Sequence, residues 1–221
     1  LAELYENKFQ MQADINGGSI PDPTFIMKLQ SFNRPMRQNA GTRAALHSLS
    51  NDNPALRRLC HDIDAALEAG DASFGAQVRA ALTRAIADPS LLRAHQRIGD
   101  ARRYRRHLLA ADPLNRYAIA ALVWEPGQAS PVHGHRTWCG YAVIDGTLAE
   151  TLYRWDADTH CAVETRRHPR AAGAVSFVDA GRGAIHQLGN PADAATRAVS
   201  IHVYGVAGEH IATHVNDLLA A

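Results

Sequence analysis

The chain is predicted to be mainly β, a barrel or sandwich of short strands with α-helices packed outside it at the N-terminal end. Three observations predict this. From about Arg102 onward apolar residues recur with the period of two that strands require, and between about 50 and 95 they recur instead at helical spacing. Turn signals such as Pro126-Gly127 and Asp145-Gly146 separate the strand-like runs, a pattern typical of sandwiches and barrels.

The helices come first. Asn53 or Asp52 can cap a run in which Leu56, Leu59, Cys60, Ile63, Ala66 and Leu67 share one face, ending near Gly70. A second run from about 72 to 87 places Phe74, Val78, Leu82 and Ile86 four residues apart and stops at Asp88-Pro89. Leu91 and Leu92 suggest a short third helix. Such stripes suit packing against the outside of a barrel, with Cys60 a small core residue on one of them. Tyr117, Ile119, Ala121 and Val123 then alternate with Ala118, Ala120, Leu122 and Trp124, which makes a strand apolar on both faces. Further short strands are expected at 141–144, 148–155, 161–167, 174–178 and 198–204.

Composition bounds the rest. The 221 residues suffice for one domain with an extension, and a formal net charge of +1 gives no general electrostatic case for binding nucleic acid. No apolar run approaches the roughly 20 residues that would cross a bilayer. Cys60, Cys139 and Cys161 are odd in number and lack a framework spacing, so a reducing, cytoplasmic compartment is inferred. Both lysines, Lys8 and Lys28, fall in a first segment broken by Gly17-Gly18, Pro21 and Pro23. Residues 1–35 are therefore expected to be an appended or weakly ordered leader, with Met36 a plausible native start and 36–221 a single domain, helical over 50–95 and barrel over 102–206. Oligomeric state is not legible.

Two blocks carry the chemistry. In the first, Gly127 is followed by His133, Gly134 and His135, then Cys139 and Gly146. Histidines at i and i+2 point to one face of a strand and can hold one ion between them. In the second, Gly173, Asp179, Gly181, His186 and Asn190 follow. His160 and His168 lie between the blocks in a turn-rich stretch and are expected at the surface. Together the blocks resemble the paired motifs of the cupin superfamily, which implies a jelly-roll (double-stranded β-helix) barrel. Asp179 replaces that pattern's usual proline and two extra residues precede His186.

Cys139 stands where most cupins place a glutamate ligand. Three neutral imidazoles leave a divalent ion its full charge, suited to an anionic substrate that binds it directly. At this point the chain resembles the cysteine dioxygenase family of thiol dioxygenases. The resemblance implies Fe(II) held by His133, His135 and His186, and a thiol substrate whose sulfur receives both atoms of O2 to give a sulfinic acid. It also implies catalytic roles for Ser200, His202 and Tyr204, which read Ser-x-His-x-Tyr, and a thioether between Cys139 and Tyr204. The loop from His135 is one residue shorter than in the animal enzymes, which leaves the covalent bond open.

The family's arginine for substrate carboxylate lies two residues after a tyrosine, which carries over to Arg106 after Tyr104. A guanidinium can take both carboxylate oxygens. Alternation puts Tyr104 and Arg106 on one face and Arg103 and Arg105 on the other, where the run could equally be a solvated basic cluster. Members acting on 3-mercaptopropionate carry glutamine at the Arg106 position and typically glycine at that of Cys139, so L-cysteine is the expected substrate. Mercaptosuccinate or a related thiol acid is the alternative. A cupin isomerase or decarboxylase using Mn, Ni or Zn would share the histidines, as would a non-enzymatic metal-binding cupin. The expected partners are thus a small-molecule thiol and O2.

Overall fold

The computed structural model describes residues 52–70 and 72–221. The expected leader over 1–35 and the start at Met36 lie outside the described residues. Two helices, α1 (Pro54–Ala69) and α2 (Phe74–Ile86), precede ten strands. Asn53 is the cap of α1: its Oδ1 accepts from the Leu56 amide at 3.0 Å, and Gly70 ends the helix in the left-handed conformation at φ 58°. The Asn53 amide also donates to the carbonyls of Ser90 and Leu91, at 2.9 and 3.0 Å. Those carbonyls are then lost to any local helix, and Leu91 and Leu92 form a buried bend instead of the expected third helix. A single 3-10 turn follows at Ala94–Arg97.

The strands are β1 (Arg105–Ala111), β2 (Ala118–Trp124), β3 (His133–His135), β4 (Cys139–Asp145), β5 (Thr147–Asp156), β6 (Cys161–Ala171), β7 (Val175–Val178), β8 (Gly181–Gly189), β9 (Ala198–Tyr204) and β10 (Asn216–Leu218). They form two five-stranded antiparallel sheets, β1-β2-β9-β4-β7 and β10-β3-β8-β5-β6. Side chains from both sheets, including Leu122, Trp124, Tyr141, Leu148 and Leu188, meet in one interior core. This is the jelly-roll arrangement. The strand expected from Arg102 starts at Arg105, and the three-residue β10 lies beyond the expected barrel limit of 206.

The centre of the first sheet is buried on both faces. Ile119, Ala121 and Val123 of β2 and Val199, Ile201 and Val203 of β9 pack against Leu59, Ile63, Val78 and Leu82 of the helices. Their even-numbered neighbours, Ala118, Ala120, Leu122, Trp124, Ala198 and Tyr204, point into the barrel. Helix α2 sits close on β4 because residue 140 is glycine: a Cβ there would come within 2.7 Å of Val78 Cγ1. No described helix is long and apolar enough to cross a membrane.

An ionic cluster ties α1 to the β1–β2 turn. Arg116 donates from Nε and Nη2 to the two oxygens of buried Asp112, at 2.7 and 3.0 Å, and pairs with Asp64 of α1. Burial would raise the Asp112 carboxyl, but the Arg116 hydrogen bonds and charge outweigh it and hold it below the usual range. The resulting stabilisation is full above about pH 4, the ordinary aspartate value, and is lost as pH falls through the lower folded value. Arg116→Met should cost about 3–5 kcal/mol at pH 7 by stranding the carboxylate. Urea unfolding should also show a shallower loss of stability on acidification for the variant; equal pH slopes would remove Arg116 from this role.

Candidate metal centre

Three residues of β3 deliver two histidines because the strand is clamped on both edges. On one side Asn216 and Leu218 of β10 pair with His135 and His133; on the other His133 pairs with His186 and His135 with Gly181 of β8. The three residues from His133 to His135 thus face the six from Gly181 to His186, so β8 bulges and its three extra residues are absorbed without displacing His186 from His133. The three rings are buried, with centroids 4.7 to 5.2 Å apart, and their ligand atoms lie within 4.8 Å of one another.

Each Nδ1 has an acceptor: the Pro131 carbonyl for His133 at 2.8 Å, the Ala184 carbonyl for His135 at 3.1 Å, and Glu150 Oε1 for His186 at 2.8 Å. Acceptors at Nδ1 fix the proton there and leave the Nε2 lone pairs as ligands. The Ala184 carbonyl belongs to the bulge, which thus supplies the group that orients His135. Burial, followed by the neighbouring His186, pushes His133 down to about 3 and His135 to about 4, which keeps both imidazoles neutral. The cluster therefore has three nitrogen donors and no carboxylate donor. That set fits a divalent first-row metal such as Fe(II) with further positions open.

Strand β9 supplies the opposite wall through its inward residues Ser200, His202 and Tyr204. Trp124 Nε1 donates to Ser200 Oγ at 2.9 Å, Ser200 Oγ lies 2.9 Å from His202 Nε2, and His202 Nδ1 lies 3.2 Å from the Tyr204 hydroxyl. An indole can only donate, so the buried serine proton goes on to Nε2 and His202 carries its own proton on Nδ1. Tyr204 then accepts from His202 and keeps its proton free to donate into the cavity. Burial, followed by the charge of Arg106, holds His202 neutral well below the ordinary imidazole value. Burial pushes the Tyr204 phenol up, so it too stays protonated.

Cys139 is buried in β4 directly across from Tyr204 in the register, and burial pushes its thiol up to about 12. Arg106 lines the same cavity. Its Nη1 donates to the Ile211 carbonyl at 3.0 Å, while its Nε–H is buried without an acceptor. The guanidinium carbon is 5.9 Å from both the Tyr104 and Tyr204 rings. Tyr104, just ahead of β1, stacks on Trp124 at 4.4 Å. The cavity has a volume of about 20 Å³.

Several lining or supporting residues were not anticipated from the sequence: Trp124 as relay donor, Tyr141, Asn216 from β10, and Glu150. Only Glu150 left a usable signal, being an acid on the inward phase of β5 that it shares with Leu148. His160 is exposed at a turn as expected. His168 departs from expectation: β6 pairs it with Glu150, its Nε2 lies 3.2 Å from that carboxylate, and its side chain is only 22% exposed.

Solved structures similar in fold include a protein from Thermus thermophilus, 19% identical over 52% of this chain and 96% of that one, with a TM-score of 0.40. A Cupin 2 conserved barrel domain protein from Salinispora arenicola is 23% identical over 46% and 74% of the two chains, with a TM-score of 0.35. An RmlC-like cupin family protein with a double-stranded β-helix fold from Methanocaldococcus jannaschii is 15% identical over 52% and 90%, with a TM-score of 0.37. The model of the family "Cysteine dioxygenase type I" matches residues 71–213, a span that takes in Arg106, the three histidines, Cys139 and the Ser200 to Tyr204 strand. With more than half of its length matched in this way, the chain belongs to the cysteine dioxygenase type I family.

Proposed function

We propose that the chain is an Fe(II)-dependent thiol dioxygenase that converts L-cysteine to cysteine sulfinic acid, adding both oxygen atoms of O2 to the sulfur. The observation that carries this reading is the coincidence, in one small cavity, of three imidazoles with no carboxylate donor among them and a guanidinium whose Nε–H has no acceptor in the protein. The first suits a metal that keeps its full double charge for a thiolate; the second suits the substrate's carboxylate. When bound, iron would coordinate the substrate thiolate and dioxygen and supply the redox chemistry joining them.

The chain's own residues hold and orient. Arg106 fixes the carboxylate, with its position set by Ile211 and by the aromatic rings of Tyr104 and Tyr204. Tyr204 offers its proton to substrate or oxygen, and the line from Trp124 through Ser200 and His202 prevents that proton from turning back. The closely packed walls keep bulk water from the reacting atoms. A guanidinium can also bind the carboxylate of 3-mercaptopropionate or mercaptosuccinate, so these thiols are the competing substrates. A cytoplasmic setting for Cys60, Cys139 and Cys161 belongs to the same proposal.

Oxygen uptake by the Fe(II)-loaded protein should be fastest with L-cysteine and yield the sulfinic acid; a faster rate with either other thiol would reassign the substrate. No uptake with any of the three would leave a metal-binding cupin without this activity. His186→Ala should lose iron on dialysis and lose turnover while keeping its far-UV circular dichroism, and retained iron would remove His186 from the ligand set. Arg106→Gln should raise KM for L-cysteine and shift preference toward 3-mercaptopropionate, since a charged contact worth about 1.5–3 kcal/mol becomes a neutral one. An unchanged substrate profile would put the carboxylate contact elsewhere.

A further inference from the structure

One of the three histidines is held differently from the other two. His133 and His135 donate Nδ1–H to neutral backbone carbonyls, whereas His186 donates to the carboxylate of Glu150 at 2.8 Å. Glu150 is 6% exposed and reaches His186 from the neighbouring strand: on β5, Leu152 is the registered partner of His186 and Glu150 stands two residues along, its diagonal neighbour. The second carboxylate oxygen is also engaged. Oε2 lies 3.2 Å from His168 Nε2 and 3.6 Å from Arg170 Nε, both on β6. The Arg170 guanidinium carbon in turn sits 5.5 Å from the ring of Tyr141, a wall of the metal cavity.

A carboxylate acceptor draws the Nδ1 proton more strongly than a carbonyl does, which raises electron density at Nε2 and fixes the ring plane. In a site without a carboxylate ligand it also brings a negative charge one layer behind the nitrogen donors. We propose that Glu150 is a positioning residue of the metal centre: it makes His186 the strongest donor of the three, and His168 and Arg170 hold its carboxylate to that task. The inference rests on the reading of His186 as a ligand. Its bland competitor is a buried ion pair that merely fastens β5 to β6, which would alter stability and leave the metal untouched.

The test is titration of the metal-free full-length protein with Co(II), following affinity and the visible ligand-field spectrum for wild type, Glu150→Gln and His186→Ala. Glu150→Gln keeps an acceptor of the same size and removes the charge. It should bind Co(II) about 10–100-fold more weakly with a shifted ligand-field band. Wild-type affinity and spectrum in Glu150→Gln, alongside lost binding in His186→Ala, would overturn the role of Glu150 alone. Wild-type binding in His186→Ala would overturn the ligand assignment beneath it. Should Glu150→Gln fail to fold, proton NMR of the Zn(II)-loaded wild type decides: the Nδ1–H of His186 should resonate downfield of those of His133 and His135. Three coincident resonances would sink the proposal.

Discussion

Burial of β2 and β9 on both faces governs where the polar line opposite the histidines stands. A strand with solvent on one side can slip by one residue at modest cost, but β2 and β9 have apolar side chains locked between helices on one face and apolar side chains in the barrel on the other. A slip would drive Ser200 and His202 into the helix layer, where neither would find its hydrogen-bond partner. The polar line along β9 is thus held in place by Val199, Ile201 and Val203 beneath it, residues that take no part in chemistry. The same period of two puts Trp124 of β2 on the inward face, within 2.9 Å of Ser200. Packing outside the barrel and order inside it are one constraint.

Charge is distributed with the same economy. His133 and His135 of the metal cluster, and the imidazole, phenol and thiol of the opposite wall, are all kept neutral first by burial. The ionised groups sit on two sides of them. Arg106 lines the cavity, where it attracts an anion, and Glu150 lies behind His186, with burial raising its carboxyl while the His186 hydrogen bond and Arg170 outweigh that and hold it below the usual range. A substrate carrying a carboxylate at one end and a thiolate at the other would meet a cation at each, guanidinium and metal, without any protein anion beside the ion.

How much of this was legible varies with the physical origin of each feature. Strand β9 was readable to the residue, and β2 to within one, because a two-faced apolar strand leaves no freedom of phase. The histidines were legible because i, i+2 spacing on a strand has one geometric meaning. Strand β10 was not: its three residues pair only because β3 offers a free edge, a fact about the assembled sheet. Two surplus residues before His186 were visible in the sequence, but the use of the β8 bulge, presenting the Ala184 carbonyl to His135, depends on backbone geometry that no side chain records. Leu91 and Leu92 misled because the carbonyls needed for a helix are taken by Asn53, whose capping role was legible and whose second role was not. His168 misled for a related reason: its surroundings are set by a cross-strand acid eighteen positions earlier in the chain.

Cys139 shows how a thiol can line a site built to oxidise thiols. Only a thiolate is a strong metal ligand or nucleophile, so a wall cysteine that ionised near neutral pH would compete with the substrate. Complete enclosure between β4 and β9 pushes its thiol up to about 12, and the opposing pull of Arg106 is too weak to reverse this. On the proposed function a substrate thiol would escape that penalty by ionising on the metal, whereas the registered partner of Cys139 across the sheet is Tyr204. Burial, not distance from the cavity, keeps the protein's own thiol protonated, and its place in the register sets it beside the phenol.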